Sequence, residues 1–469
     1  MRRDNATAIS CFAALLGGVL AAAFPSGSEA DVSGRYFDEQ LDLAVFDGKP
    51  LIAFARWHRA EGSDVVVASW PGNNQPPSYG WKLDEVADGL PIDMTDSFQN
   101  YLAVTVADGC PAVAFISRHD DYHAAICQTQ SPLGVSAPDW TVMPEAMNEL
   151  NGRNSLAMQT IFDRPAVAGF SGTSQLAVAW SKYPRPSTAK DWEHFYVNAL
   201  SLDVGLGLAA GQNGPVVAFC GETDESRAKF GETSALLVAC VAPNTQETGT
   251  LASAAIDTAR VWKGSLLCSY ASSIYAAYAN SSGLRYAQCN VQSAGEAEAW
   301  QKHTVLQLDH TTAAIGVVAG RPVIAYTVTG LPACQTFREG TYCAQAMSPS
   351  PRSAADWRIV KVSNQPAFEL RIAEASGHPL VAYSTFVPVY GYYCAWGKVA
   401  QPRSIRDWSS SAIFTDGPAL GGPKLPAALL LFYWRWKYWL PLLGALLLVS
   451  LMLSAVVVLR RRRAQSRKH

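Results

Sequence analysis

One string recurs along this 469-residue chain and limits its fold more than any other feature. Gly48-Lys49-Pro50-Leu51-Ile52-Ala53-Phe54 returns as Gly109-Cys110-Pro111-Ala112-Val113-Ala114-Phe115. It comes back as Gly320-Arg321-Pro322-Val323-Ile324-Ala325-Tyr326 and as Gly377-His378-Pro379-Leu380-Val381-Ala382-Tyr383. Looser copies begin at Asp163 and Asn213, and the most degraded reads Gly264-Ser265-Leu266-Leu267-Cys268-Ser269-Tyr270. Pro50 and Pro379 lie 329 residues apart across six intervals, a period near 55. A period of that size means one supersecondary unit stacked on copies of itself.

Each unit has four parts. An apolar run such as Leu41 to Phe46 comes first, and a Gly/Pro turn leads into the repeated string. A third run follows, as in Val65 to Ala68 or Leu176 to Trp180, and a fourth opens with Trp, as at Trp140, Trp300 and Trp357. Short runs rich in Val, Ile, Ala and aromatics, bounded by Gly, Pro, Asn and Asp, read as strands. No sustained helical period occurs between 31 and 423. The expected fold is all-β: a seven-bladed β-propeller ectodomain followed by one C-terminal transmembrane helix. Radial repetition leaves only short, protected sheet edges. A solenoid of the same units is the alternative, but it needs polar capping repeats that neither end supplies. A small Ala in mid-strand fits closely spaced blades, and the proline fits the first position of its strand, where a missing N–H costs little.

Strings of the form Gly-x-Pro-x-Ile-Ala-Tyr, then Leu-x-Tyr-Ala, then Trp-Thr-x-x-x-Val resemble secreted and surface bacterial propellers, loosely similar to the sialidase-like propeller superfamily. The resemblance spans 41 to 416 and implies architecture rather than activity. A second signature precedes four tryptophans: Ser136-x-x-Asp139-Trp140, Thr188-x-x-Asp191-Trp192, Ser353-x-x-Asp356-Trp357 and Ser404-x-x-Asp407-Trp408. Its spacing is that of a capping box, although that motif takes Glu or Gln. It reads as a short helical turn that delivers Trp between blades. Calcium or glycan binding by the repeated aspartates is the other reading. The sialidase Asp-box differs, carrying its Asp earlier.

Charge and the chain ends set the compartment. Residues 31–423 hold 26 Lys and Arg against 37 Asp and Glu, a net charge of −11, whereas the segment from Pro426 onward carries no acid. An acidic body argues against nucleic acid as a partner, since phosphate binding needs clustered cations. Residues 1–30 have the basic start, apolar run and small-residue exit of a signal peptide, with cleavage after Ala30 or Ala23. Residues 440–459 form a 20-residue span without charge, enough to cross about 30 Å of hydrocarbon. Residues 424–439 are an aromatic juxtamembrane segment and 460–469 a basic tail, which the positive-inside rule places in the cytoplasm. The expectation is a single-pass cell-membrane protein with residues 31–423 outside.

An extracellular setting favours disulfides. Pairs placed symmetrically about a turn are Cys110/Cys127 and Cys220/Cys240, followed by Cys268/Cys289 and Cys334/Cys343, with Cys394 left over as a buried thiol or an intermolecular bridge. Asn280-Ser281-Ser282 is a glycosylation sequon in a hairpin loop. No metal or cofactor signature is present: Cys-x-x-Cys, a His cluster, His-Glu-x-x-His, Gly-x-Ser-x-Gly and a phosphate-binding glycine loop are all missing. A sialidase needs several convergent arginines, and Arg56, Arg59, Arg118, Arg285, Arg338 and Arg371 are scattered over the blades. Recognition is the stronger reading. Loops joining second to third strands share one face and differ most in sequence, and they hold Arg56, Trp57, His58, Arg59, Arg118, His119, Asp120, Tyr122, Phe386, Tyr390 and Tyr392. Aromatic rings beside Arg and Asp suit an extracellular glycan or protein. The alternatives are a membrane-tethered glycoside hydrolase or lyase on the same fold, and a structural subunit of a membrane assembly.

Overall fold

A computed structural model describes residues 40–58, 62–70, 81–90, 102–117, 123–129, 140–151, 155–171, 174–231, 234–240, 251–259, 266–308, 312–328, 339–385 and 391–415. These form seven four-stranded sheets. They span 41–90, 102–151, 156–198, 201–258, 267–306, 313–363 and 370–415, here blades 1 to 7. In every blade the strands run in sequence order, each antiparallel to the one before. The first strands pack side by side around a central channel, and that of blade 7 meets that of blade 1, so the ring is closed. The seven-bladed propeller is the fold of the chain.

The repeated string is explained by its turn. Asp47-Gly48, Asp108-Gly109, Phe162-Asp163, Ala319-Gly320 and Ser376-Gly377 all have positive φ at both residues. That is the type I′ turn of two-residue hairpins, where glycine tolerates the left-handed backbone. The proline follows as the second residue of the second strand in most blades, one place later than its sequence reading. Third-strand pairing begins only after it, at Leu51↔Ser69, Ala112↔Gln128 and Val323↔Gln345. No ladder donor is lost there.

Blade 5 departs from its sequence reading. Gly264 to Tyr270 is not its second strand; Leu267–Tyr270 is the first strand, and the second is Ser273–Asn280. Ala271, with φ 53°, occupies the place of Ala319, with φ 49°. The true copy therefore runs Ser272-Ser273-Ile274-Tyr275-Ala276-Ala277-Tyr278, with Ile274 in place of the proline.

The hydrophobic core is divided into layers between blades. Ala53, Ala114, Ala168, Ala218, Ala277, Ala325 and Ala382 in the second strands are all buried, which lets neighbouring sheets approach. The Asp-Trp turns form as expected in three blades. In each, the carboxylate of Asp191, Asp356 or Asp407 accepts from the backbone N–H groups that open a short 3-10 turn, and Trp192, Trp357 or Trp408 follows, buried. Ser136 to Asp139 lie outside the described residues. One α-helix occurs among the described residues, Asp224–Phe230, capped by Thr223, whose side chain accepts from Ser226 N.

Among the described residues no strand crosses between blades 7 and 1, and side chains bridge them. Arg371 Nε donates to Asp42 Oδ1 at 2.9 Å, and Glu369 Oε2 accepts from Leu41 N at 2.9 Å. Tyr392 Oη donates to Ala55 O at 3.0 Å, Trp81 Nε1 to Ser411 Oγ at 2.7 Å, and Ser376 Oγ to Gly48 O at 3.3 Å.

Among the described residues the expected disulfide pairs are not formed: Cys110, Cys127, Cys240, Cys268, Cys289, Cys343 and Cys394 are free thiols. Register gives the reason. Cys127 is opposite Val113 rather than Cys110, and Cys220 is opposite Leu236 rather than Cys240. Cys268 and Cys289 have the whole second strand of blade 5 between them. Cys334 lies outside the described residues, as do 1–30 and 416–469, which hold the expected signal, juxtamembrane, membrane-spanning and tail segments. Among the described residues no helix is long and apolar enough to cross a membrane.

Candidate functional site

The meander gives the two ends of the propeller different characters. On one end lie the first-to-second and third-to-fourth connections. The former are two residues long in six blades (47–48, 108–109, 162–163, 271–272, 319–320, 376–377), and the latter ten residues in five (130–139, 182–191, 291–300, 347–356, 398–407). The other end carries the second-to-third connections, which range from two residues (281–282) to twelve (223–234), and the blade-to-blade links, from two (199–200) to eleven (91–101). One face is constant and the other varies.

The described strand ends that flank the sequence candidates belong to blades 1, 2 and 7, which ring closure makes consecutive. Residues from opposite ends of the chain are thereby brought to one side. Trp57 and His58 end the second strand of blade 1, their backbones opposite Ser63 and Gly62. Arg59, Arg118, His119, Asp120, Tyr122, Phe386 and Tyr390 lie outside the described residues.

Two candidates are described in full, and both are framework. Arg56 Nη2 donates to Asp64 Oδ2 at 2.8 Å and to Glu85 Oε2 at 2.6 Å, tying the second, third and fourth strands of blade 1 together beneath the loops. Tyr392 is completely buried, its ring 4.6 Å from that of Phe54. Its hydroxyl is bonded to Ala55 O, so it has no face for a ligand. It ties the third strand of blade 7 to the second strand of blade 1, which ends at Trp57 and His58. Asp64 and Glu85 were not foreseen from sequence. The hairpin register Arg56↔Asp64 is the signal that exposes the first of them.

A second polar cluster underlies the variable face between blades 4 and 5. Asp257 Oδ2 accepts from Tyr278 Oη at 2.7 Å and from Arg285 Nη2 at 3.0 Å, and Arg285 Nη1 donates to Thr304 Oγ1 at 2.8 Å. Burial, and then the Asp257 carboxylate, hold the Tyr278 phenol well above its ordinary pKa. Asn280 ends the same strand. Its Oδ1 accepts from Ser282 N at 2.8 Å across the two-residue hairpin.

The channel is a cavity of about 320 Å³ lined by the first strands. Its polar side chains bond one another across blade boundaries. Asp42 takes the Arg371 guanidinium and, at 2.7 Å, Val104 N, while Thr105 and Thr160 hydroxyls lie 2.9 Å apart. Burial raises the Asp42 carboxyl above its usual range, against the opposing pull of Arg371. Arg56, Arg285 and Arg371 thus each engage a carboxylate of their own, in blade 1, between blades 4 and 5, and between blades 7 and 1. Arg59, Arg118 and Arg338 lie outside the described residues. Among the described residues no group of three His, Cys, Asp or Glu side chains could hold a metal ion.

The sequence matches no protein-family profile and no curated protein. Solved propellers are similar in fold. The β-propeller domain of the Trilobed protease from Pyrococcus furiosus, described as having an open velcro topology, is 8% identical over 82% of this chain and 99% of that one, with a TM-score of 0.46. A Mycobacterium tuberculosis puromycin-hydrolyzing peptidase is 11% identical over 85% of this chain and 56% of that one, with a TM-score of 0.47. The NanB sialidase of Streptococcus pneumoniae is 10% identical over 77% of this chain and 67% of that one, with a TM-score of 0.37.

Proposed function

We propose that this chain is a single-pass cell-surface protein whose propeller binds an extracellular glycan or protein through its variable face. The observation that carries this reading is the asymmetry of loop length. One face repeats its connection lengths in most blades, while the second-to-third connections of the other range from two to twelve residues. Recognition residues concentrate on loops that a rigid scaffold positions. The sector of blades 7, 1 and 2, with Trp57 and Tyr390 at its loops and Tyr392 and Arg56 beneath, is the binding site in this reading. Glycosylation of Asn280 belongs to the same proposal.

Full-length protein in detergent, probed against immobilised glycans and surface proteins, tests it. Selective capture of one class, lost on Trp57→Ala or Tyr390→Ala and kept on Arg185→Ala at the constant face, is the expected result. Equal capture by all three variants would move the site elsewhere. Consumption of the immobilised glycan would make the chain a hydrolase instead.

A second reading is favoured by where the chain ends emerge. Leu41 begins a first strand and Thr415 ends a fourth, so both leave at the variable face. An anchor at 440–459 would turn that face toward the membrane, which suits a partner held in the same bilayer, as in a structural subunit of an assembly. Proximity labelling from the variable face separates the readings: embedded proteins are tagged if the subunit reading holds, and soluble or opposing-cell ligands if it does not.

A further inference from the structure

The interface between blades 4 and 5 differs from others at one spot near the constant face. In blade 2, Gln128 Nε2 donates to Pro184 O of the next blade at 3.3 Å, and in blade 5, Gln288 Nε2 donates to Ser350 Oγ at 3.2 Å. These two glutamines occupy one structural position, opposite Ala112 and Tyr275 in their second strands. In blade 4 that position, opposite Val216, is Cys240. Cys240 also meets the next blade's third-to-fourth connection: its Sγ lies 2.9 Å from where a Cβ on Gly295 would stand. Together with Val291, Ala294 and Gly295 it lines a cavity of about 50 Å³.

Alternation along the strand brings a second thiol to this gap. Cys289 is one residue past Gln288 and opposite Ile274, so its side chain points to the other face of blade 5, back toward blade 4. Leu236 and Val238 of blade 4 share one buried cluster with Ala287 and Cys289 of blade 5, and Cys240 packs against that cluster. Burial pushes the Cys289 thiol up to about 12, and the nearby Cys240 thiol adds to the rise. The same alternation sets Cys268 and Cys289 on opposite faces of blade 5, whereas Cys220 and Cys240 share a face of blade 4 but lie four residues apart in register.

We propose that Cys240 and Cys289 form a disulfide that staples blade 4 to blade 5, at the position where blades 2 and 5 use a glutamine hydrogen bond. The co-reactant is a small-molecule disulfide such as oxidised glutathione. The thiolate of Cys240, the less buried of the two, attacks one glutathione sulfur and expels the other as a thiolate. The Cys289 thiolate then attacks Cys240 Sγ and expels the second glutathione. Two protein S–H bonds and the glutathione S–S bond break; one protein S–S bond and two glutathione S–H bonds form, so two electrons pass from the protein to glutathione. Burial disfavours both thiolates, so the reaction in the folded protein is slow and speeds up as pH rises.

The test uses the purified full-length chain, incubated with oxidised glutathione at alkaline pH, acid-quenched, denatured, alkylated and digested without reduction. Peptides carrying Cys240 and Cys289 are expected as a linked pair, with alkylation of both falling to background while Cys394 remains labelled. Alkylation of both to the same extent as Cys394, or linkage of Cys240 to a different cysteine, overturns the staple. Cys289→Ser is expected to stall with glutathione on Cys240, and if that variant fails to fold, the wild-type peptide map decides alone. The chemistry does not depend on display at the cell surface. The state of the pair on intact cells reads that display separately.

Discussion

At the residue scale, hydrogen-bond direction settles protonation. Trp357 Nε1 donates to His303 Nε2 at 2.9 Å, so that nitrogen must accept and the ring is held neutral with its proton on Nδ1. Burial, with the Arg285 charge behind it, lowers the His303 pKa, and Asp356 opposes them weakly. A histidine whose folded pKa lies below its unfolded value stabilises the fold above pH ~6.5. That stability is lost as pH falls from there through the folded pKa, because the unfolded chain then binds the extra proton. Titration of the His303 ring by NMR is expected to give a midpoint below that of exposed histidines; a midpoint at or above theirs would contradict the bond as drawn. Tyr392 makes the companion case. Removing its hydroxyl in Tyr392→Phe leaves the buried Ala55 carbonyl unpaired across the blade 7–blade 1 boundary and costs about 1–2 kcal/mol in urea unfolding. In the recognition reading, loss of binding beyond what that destabilisation explains is also expected, because Tyr392 anchors the strand that begins at Gly391 to blade 1.

At the element scale, the 3-10 turns before the tryptophans are held by Asp191, Asp356 and Asp407. Backbone N–H groups lower all three carboxyls: Ser187 and Thr188 for the first, Arg352 and Ser353 for the second, Arg403 and Ser404 for the third. Depressed carboxyls stabilise the fold above about pH 4 and lose that contribution as pH falls through the folded pKa. Replacing all three by Asn is expected to flatten the acid limb of the stability curve by lowering the neutral plateau, while stability at the acid end is little changed; an unchanged acid limb would place the titrating groups elsewhere. The turn on the other side of the blade is stricter. Gly48 has φ 69°, and an added Cβ would stand 2.5 Å from Ser376 Oγ, so Gly48→Ala is expected to cost about 1 kcal/mol or more. Both elements were legible in sequence, since Gly-x-Pro and Ser-x-x-Asp-Trp are local rules for local hydrogen bonds. Blade 5 was misplaced because Ser272 and Ile274 stand where glycine and proline mark the others, leaving only a faint alternation to follow. The cysteine pairings failed for a different reason. Symmetry about a loop fixes a hairpin only when the register is known, and a shift of a few residues separates Cys110 from Cys127. What crosses between strands or blades, such as Arg56 to Glu85 within blade 1 or Tyr392 to Ala55 between blades 7 and 1, depends on packing that no single strand's sequence contains.

At the scale of the whole molecule, the closure between blades 7 and 1 is where the ring is most exposed to failure. Other neighbouring blades are joined by continuous chain; among the described residues this pair is joined by side chains. Arg371 and Asp42 are the central contact, with side chains only 7% and 15% exposed. Burial raises the Asp42 carboxyl despite its partner, so the attraction does not fully offset the loss of water around the pair. Two expectations follow from that imbalance. Arg371→Met alone strands a buried carboxylate and is expected to cost about 3–5 kcal/mol. Asp42→Leu combined with Arg371→Met removes both charges and is expected to recover most of that loss, short of the hydrogen bond Asp42 accepts from Val104 N. Amide exchange locates the effect: in the single variant the first strands Leu41–Phe46 and Leu370–Ala375 should exchange faster than those of blades 3 and 4, because the ring opens at its seam before its blades unfold. Uniform acceleration around all seven blades would mean that the propeller unfolds as one unit and that the seam carries no special weakness. Exchange confined to the seam would also reach the binding sector, since blades 7 and 1 carry two of its three loops. Ligand affinity and ring closure would then rise and fall together.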